Sequence, residues 1–471
     1  MGRWIFLCVA VGIAIGALCA VSPGAVFMLA IAWVTSWIIY RCAPGRTRLF
    51  LTGLFLAGFT VRVLLSVGFD LGSYFAEKNL PRKTAPAVRD WDLGMEDRSR
   101  AYLRLGDSDY YSHRAYAISE FARGSREPVV LYRIQEYGWN AYPLLMGWFY
   151  FAFGFSPFSV KWLNAFIGAF LGLAIYAMGR QLFQERIARW AAVLAAFFPS
   201  LIFWSTANLK EPFFFLTTAL LFVVGVQSQR ERSWRRFLAE LLLLAGLFQV
   251  HIGMGRPESS WILAVCWGAA LFWNRAVVRW RRGPAVVLLL VLLALPFLPW
   301  NRVADVHLFG VRRHLGYTLG TGMIYHYVPE KFYRLVEFPA DQIPWSELSM
   351  PRFLVYVPRA LFHYLFEPLP WRTVDLLSAA AMPQMIVWDM LLPFMLAGIA
   401  VSLRGHRGGL TLFPLGTLLG WILIGALSMG NVGTLLRIRD MVTPFLLLYA
   451  GAGLWAFLYG RPEVEAPYAH G

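Results

Sequence analysis

Charged side chains are scarce in this chain. Only 15% of its 471 residues are Asp, Glu, Lys or Arg, while 58% are hydrophobic; soluble domains average about 25% charged and about 45–50% apolar. That balance excludes a soluble enzyme and a disordered tail protein. Cysteine is scarce too. There are four, widely spread, with no CxxC pair, which excludes a secreted disulfide scaffold. The eight histidines form no HxxxH or HExxH pattern, so no zinc site is expected. Neither a Walker A run nor GxGxxG occurs, so neither ATP nor a dinucleotide is implied. Internal repeats and low-complexity tracts are also missing, which removes support for the inverted repeats of many transporters.

What is present is a series of apolar runs, with a mean hydropathy of +0.54. A bilayer span takes about 20 such residues. The runs predict an all-α, polytopic transmembrane protein of about 12 spans: 5–21, 25–40, 49–67, 161–178, 190–207, 213–226, 237–253, 261–273, 286–300, 385–403, 410–428 and 441–458. The first reads as a retained anchor rather than a cleaved signal peptide, because a second span follows at once. Residues 142–155 are apolar but too short to cross, and read as a half-buried or re-entrant helix. Residues 353–369 are interrupted by Pro358, Arg359, His363 and Glu367, and read as an interfacial amphipathic helix. Four segments result: two extra N-terminal spans (1–48), a span module with a long external loop at 70–140 (49–300), a second external loop with its interfacial helix (301–370), and C-terminal spans (371–471).

The formal charge is +16. No soluble basic module accompanies it, so nucleic acid is not a partner; membrane lipids are. Basic stretches at 41–48, 179–189, 229–236, 274–282 and 404–407 belong on the cytoplasmic side by the positive-inside rule. They agree with one another only if 142–155 does not cross. The loop 70–140, the turns 208–212 and 254–258, the loop 301–351 and the segment 430–440 then all lie outside.

Four polar groups on or near that outer face need an explanation. Gly106-Asp107-Ser108-Asp109-Tyr110-Tyr111 is followed by His113, Arg114, Tyr116 and Glu120. Two carboxylates two apart in a turn can converge on a divalent cation, or one can act as a general base. Equally, Asp107 or Asp109 can simply cap a helix running to Ala122. Glu211, in Asn208-Leu209-Lys210-Glu211-Pro212, suits a helix N-terminus and shares the outer face with Asp107. Arg62 sits inside the third span, where a charge is costly and often functional, unless it snorkels outward. Arg437 and Arg439 lie outside with Arg256 and Lys210, where the positive-inside rule does not account for them. They suit phosphate or lipid head groups. His251 reads as a satisfied core histidine, and Gly225 and Gly246 as sites of close helix packing.

The ordered set Val61-Arg62-Val63, Gly106-Asp107-Ser108-Asp109-Tyr110-Tyr111-Ser112-His113-Arg114-Ala115, Tyr142-Pro143-Leu144-Leu145, Phe153-Gly154-Phe155-Ser156, Lys161-Trp162-Leu163-Asn164, Met178-Gly179-Arg180-Gln181-Leu182-Phe183 and Asn208-Leu209-Lys210-Glu211 resembles the C-type membrane glycosyltransferases. Lipid A aminoarabinose transferase and the protein O-mannosyltransferases are members. The segment from Asn431 through Arg437-Ile438-Arg439 to Pro444 is similar to the tail of many bacterial members. The resemblance implies an active site on the external face, a polyprenyl-phosphate sugar donor, and a lipid, glycan or protein acceptor. High Arg, Ala and Gly usage with few Lys suggests a bacterial genome, hence an inner membrane with the site facing the periplasm or exterior. By the resemblance, Asp107 matches the catalytic base, with Asp109 and Glu211 as its acidic partners or as ligands of a divalent cation. Arg62, Tyr111, His113, Lys210, Arg256, Arg437 and Arg439 would bind substrate. Two other functions remain open: a glycan ligase or polymerase using lipid-linked oligosaccharide through the His-rich 301–351 loop, and a non-catalytic transporter or flippase of lipid-linked sugar.

Overall fold

The structure, a computed structural model, describes Gly12, Gly16 and residues 22–79, 107–135, 140–231, 233–254, 257–273, 350–372, 376–404, 408–428 and 432–460. The described residues form helices and no strand. In chain order the helices are α1 (Pro23–Cys42), α2 (Arg48–Asn79), α3 (Ser108–Ala122), α4 (Pro128–Gln135), α5 (Ala141–Phe153), α6 (Pro157–Leu182), α7 (Glu185–Phe197), α8 (Pro199–Ser205), α9 (Glu211–Ser228), α10 (Trp234–Ile252), α11 (Pro257–Trp273), α12 (Met350–Phe366), α13 (Leu376–Arg404), α14 (Gly408–Ser428) and α15 (Val432–Tyr459).

Local chemistry sets many of these boundaries. Proline opens α1, α4, α6, α8 and α11, where its missing N–H costs nothing and its fixed φ suits the first turn. Asn140 caps α5 by accepting a hydrogen bond from the backbone N–H of Tyr142 at 3.2 Å, and Gly154 ends that helix at φ 82°, a left-handed position that glycine adopts readily.

Among the described residues, seven helices are long and apolar enough to cross a membrane: Pro23–Cys42, Arg48–Gly72, Pro157–Leu182, Glu211–Ser228, Ala381–Arg404, Gly409–Leu427 and Val432–Tyr459; α7 and α8 together would make an eighth. The chain is therefore a polytopic helical membrane protein. The expected count of about twelve spans is not confirmed. Residues 5–21, apart from Gly12 and Gly16, and residues 286–300 lie outside the described residues. Helix α10 carries Arg235, Arg236 and Glu240 and is not among the seven, and α11 is a shorter apolar helix. The expected span 190–207 is broken at Phe198, because Pro199 disfavours a helical residue before it. Helix α5, at 13 residues, is short, as expected.

The largest difference lies at the C-terminal end. The segment 430–440 was expected to be an external loop, yet α15 begins at Val432 and takes in Arg437, Arg439 and Asp440. Its polar residues point to the outer face, but Arg439 and Asp440 are buried within a helix.

The chain divides into two compact units. The first comprises Met1–Leu173, Pro199–Leu216 and Gly253–Gly255; the second comprises Ala174–Phe198, Thr217–Ile252 and Arg256–Gly471. In the first unit, Ala32 of α1, Phe55 and Phe59 of α2, and Ala165 and Ala169 of α6 form a core. Ser22 and Ser159 tie the start of α1 to α6 at 2.7 Å.

In the second unit α15 is buried along most of its length against α7, α13 and α14. The α13–α15 crossing is close enough to exclude side chains. A Cβ at Gly398 would stand 1.8 Å from the Tyr449 carbonyl oxygen, and one at Gly453 1.9 Å from that of Phe394. Gly398→Ala is expected to lower the thermal midpoint in detergent clearly, since overpacking costs about 1–3 kcal/mol even where flexible side chains can yield. An unchanged midpoint would contradict the close crossing. Gly225 is also a packing glycine, with Phe413 2.5 Å from a built Cβ, whereas Gly246 faces open space and is not. His251 is a core histidine, held by Thr218 at 3.0 Å and Ser260 at 2.7 Å.

Candidate active site

In the first unit, α3 and the turn before α9 are joined by a buried hydrogen bond between Asn208 and Ser112. Helix α3 begins at Ser108, with Asp107 at its N-cap and Asp109 in its first turn. Asp107 is exposed, and its side chain makes no capping hydrogen bond. Tyr111, Ser112 and Arg114 are buried, while His113 is half-buried. Asp107 and Asp109 stand two residues apart at a helix start, and side chains so spaced do not face one another. The described residues hold no group of three or more His, Cys, Asp or Glu that could hold a metal.

Helix α3 is fixed from two sides. Its C-terminal Arg123 reaches across to the carbonyl oxygens of Tyr150 and Phe151 at the end of α5, at 2.8 and 3.3 Å. On the other side, Ser112 Oγ accepts a hydrogen bond from Asn208 Nδ2 at 3.2 Å. That contact joins α3 to the turn between α8 and α9. Glu211 opens α9 with Pro212 behind it, as expected of a carboxylate at a helix N-terminus.

The turn itself is held by three buried side chains. Asn164 of α6 donates from Nδ2 to the carbonyl oxygens of Ala207 (2.6 Å) and Leu209 (3.0 Å), and to Tyr142 Oη at 2.9 Å. Arg62 of α2 donates from Nε to Ser205 Oγ at 3.2 Å, just before the turn, and from Nη1 to the Gly58 carbonyl at 3.0 Å. Lys210 Nζ donates to the carbonyl oxygen of Met254. Tyr142 packs edge-on to Tyr111, with ring centres 5.5 Å apart. Burial pushes the Tyr142 phenol well above its ordinary value; the hydrogen bond with Asn164 opposes the rise, and the charges of Tyr150, Glu211 and Tyr111 add to it. Tyr142 is therefore a neutral group beside Glu211.

Arg62 does not snorkel. It is fully buried, in space that a side chain at Gly168 would close: a Cβ there would stand 2.8 Å from Arg62 Nε. Along the same face of α2, at the i+4 and i+8 positions, lie buried Ser66 and Asp70. Asp70 forms a buried ion pair with Lys161 of α6. Lys161 and Asn164 lie in the Lys161-Trp162-Leu163-Asn164 stretch of the resemblance, which gives neither a role. Asp70 lies in none of its stretches.

The remaining expected site residues are not among the described residues of the first unit. Arg256 and the histidines of 301–351 lie outside the described residues. Arg437 and Arg439 belong to the second unit. There Arg439 is fully buried. Its Nη1 donates to the carbonyl oxygens of Tyr364, Leu365 and Glu367 at 3.3, 3.0 and 2.9 Å, and its guanidinium lies 5.2 Å from the Trp388 ring centre. It thus caps the C-terminal carbonyls of α12, a favourable place for a cation.

No family model matches the chain, and no curated protein does. Among solved structures, it is similar to the archaeal oligosaccharyltransferase AglB from Archaeoglobus fulgidus, in complex with an inhibitory peptide and a dolichol-phosphate. The identity is 16%, with a TM-score of 0.44 over 85% of this chain and 50% of that one. The chain spans about half the length of that protein.

Proposed function

We propose that the protein is an inverting membrane glycosyltransferase. It moves a sugar from a polyprenyl-phosphate donor to a hydroxyl or amine of a lipid, glycan or protein acceptor at the external face of the membrane. The observation that carries this reading is the buried join between Ser112 and Asn208, 96 residues apart in sequence. It anchors the segment of Asp107 and Asp109 to the segment of Lys210 and Glu211. The resemblance set out above assigns acid–base chemistry to these same two segments.

The chemistry is confined to the first unit. Asp107, exposed at the end of its helix, takes the proton from the acceptor O–H or N–H. The acceptor lone pair forms the new bond to the anomeric carbon. The bond from that carbon to the phosphate oxygen breaks, and its electron pair leaves with the polyprenyl phosphate. Attack opposite the leaving group inverts the anomeric configuration. Glu211 or Asp109 orients the acceptor, and the Lys210 ammonium supplies positive charge as the phosphate departs. The product anomer, read by NMR, is expected to be opposite to the donor's; a retained configuration would contradict direct displacement. Glu211→Gln is expected to lower transfer about 10- to 100-fold, as loss of alignment does. Unchanged transfer in Glu211→Gln would leave Glu211 only its role at the helix N-terminus.

One observation favours transport instead: the buried Lys161–Asp70 pair lies between the helices Arg48–Gly72 and Pro157–Leu182, each long and apolar enough to span, and charges within spans often mark an ion or substrate path. A transporter would move the intact sugar lipid across a vesicle membrane without cleaving it.

A further inference from the structure

We infer that Asn164, a residue of the apolar helix α6, is the positioning residue of the Ala207–Glu211 turn, and that it sets the aim of the Glu211 carboxylate. The inference rests on the reading of Glu211 as a site residue. The side chain of Asn164 is fully buried, where an amide is tolerated only if its polar groups are put to use. Its Nδ2 carries two hydrogens and meets three acceptors: the Ala207 carbonyl at 2.6 Å, the Leu209 carbonyl at 3.0 Å and Tyr142 Oη at 2.9 Å. Carbonyl oxygens only accept, so the two from the turn dictate which end of the amide faces them. The amide's own Oδ1 is buried without a hydrogen-bond partner. The orientation is therefore set by the turn and not by the comfort of the amide.

The two carbonyls flank Asn208, whose own amide reaches Ser112 on α3. The Leu209 carbonyl lies two residues before Glu211. A side chain that fixes both therefore fixes the backbone from the α3 contact to the start of α9. Arg62 fixes the same stretch one step earlier, through Ser205. Asn164 differs in holding the backbone of the turn itself, so no substitution within the turn can replace it.

The test uses the full-length protein in nanodiscs, with two readouts on each variant. Asn164→Leu keeps the volume and removes the donors. Backbone amide exchange across 207–214 is expected to rise about tenfold, by local opening. With a polyprenyl-phosphate sugar as donor, kcat is expected to fall about 10- to 100-fold, with KM for that donor within about twofold, as misplacement of a reacting group does. Asn140→Ala, which removes the cap of α5, serves as the control: it is expected to lower stability without changing exchange at the turn. Should Asn164→Leu fail to accumulate, Asn164→Ser carries the same two readouts. Unchanged exchange in a folded variant would overturn the inference, and so would faster exchange with unchanged kcat. Faster exchange in a protein whose wild type transfers no sugar would uphold the clamp and sink the glycosyltransferase reading instead.

Discussion

Asp107→Asn is expected to cut sugar transfer by about 10²- to 10⁴-fold, the usual worth of a general base, with the fold intact. The geometry makes this substitution unusually clean. Asp107 stands at the N-cap of α3, but its side chain makes no capping hydrogen bond. Asparagine is itself among the best N-cap residues, so the cap position keeps a suitable residue. Contacts at Ser112 and Arg123 hold α3 further along. A fall in transfer at constant thermal midpoint therefore reports proton transfer and not misfolding. Single-turnover rates with saturating donor would separate the chemical step from donor binding. Full activity in Asp107→Asn would remove this residue as the base.

The second large effect is expected on stability. Lys161 and Asp70 form an ion pair whose side chains are 1% and 10% exposed. Breaking such a pair from one side strands the other charge in a low dielectric, which costs about 3–5 kcal/mol. Lys161→Met should destabilise by that amount, because Asp70 is left buried beside an apolar side chain. Adding Asp70→Leu should recover most of the loss, since a buried pair is often no better than well-packed apolar residues. Unfolding in mixed detergent micelles, compared across the wild type, both single variants and the double variant, measures this coupling. A single variant that loses less than about 1 kcal/mol would mean that the pair behaves as a solvated surface contact.

The helical class was legible because apolar runs of about 20 residues have few other uses, and proline marked several helix starts. Arg62 was legible as a charge inside a span, but the charged residues of α15 were not legible as helical. Arg437, Arg439 and Asp440 suggested a loop because nothing in the local sequence shows what would satisfy a buried guanidinium. The carbonyls that do so belong to α12, 72 to 75 residues away. The same holds for Lys161 and Asp70, 91 residues apart. The break at Phe198 is masked in the sequence by the apolar run around Pro199. At the candidate site, charge parity along the loops put Asp107 and Glu211 on one face, and the resemblance pointed to the same residues. The groups that join them, Ser112, Tyr142, Asn164 and Asn208, carry no titratable chemistry of their own at neutral pH. Their importance lies in tertiary contacts that spacing does not encode.

The central claim is tested most directly with purified protein in proteoliposomes supplied with a pool of radiolabelled polyprenyl-phosphate sugars and native acceptors. Two quantities are measured together: sugar joined to acceptor and free polyprenyl phosphate released. A glycosyltransferase with Asp107 as its base should release one polyprenyl phosphate for each sugar transferred in the wild type and lose both in Asp107→Asn. Equal transfer by both proteins, or passage of intact sugar lipid across the membrane with no phosphate released, would contradict it.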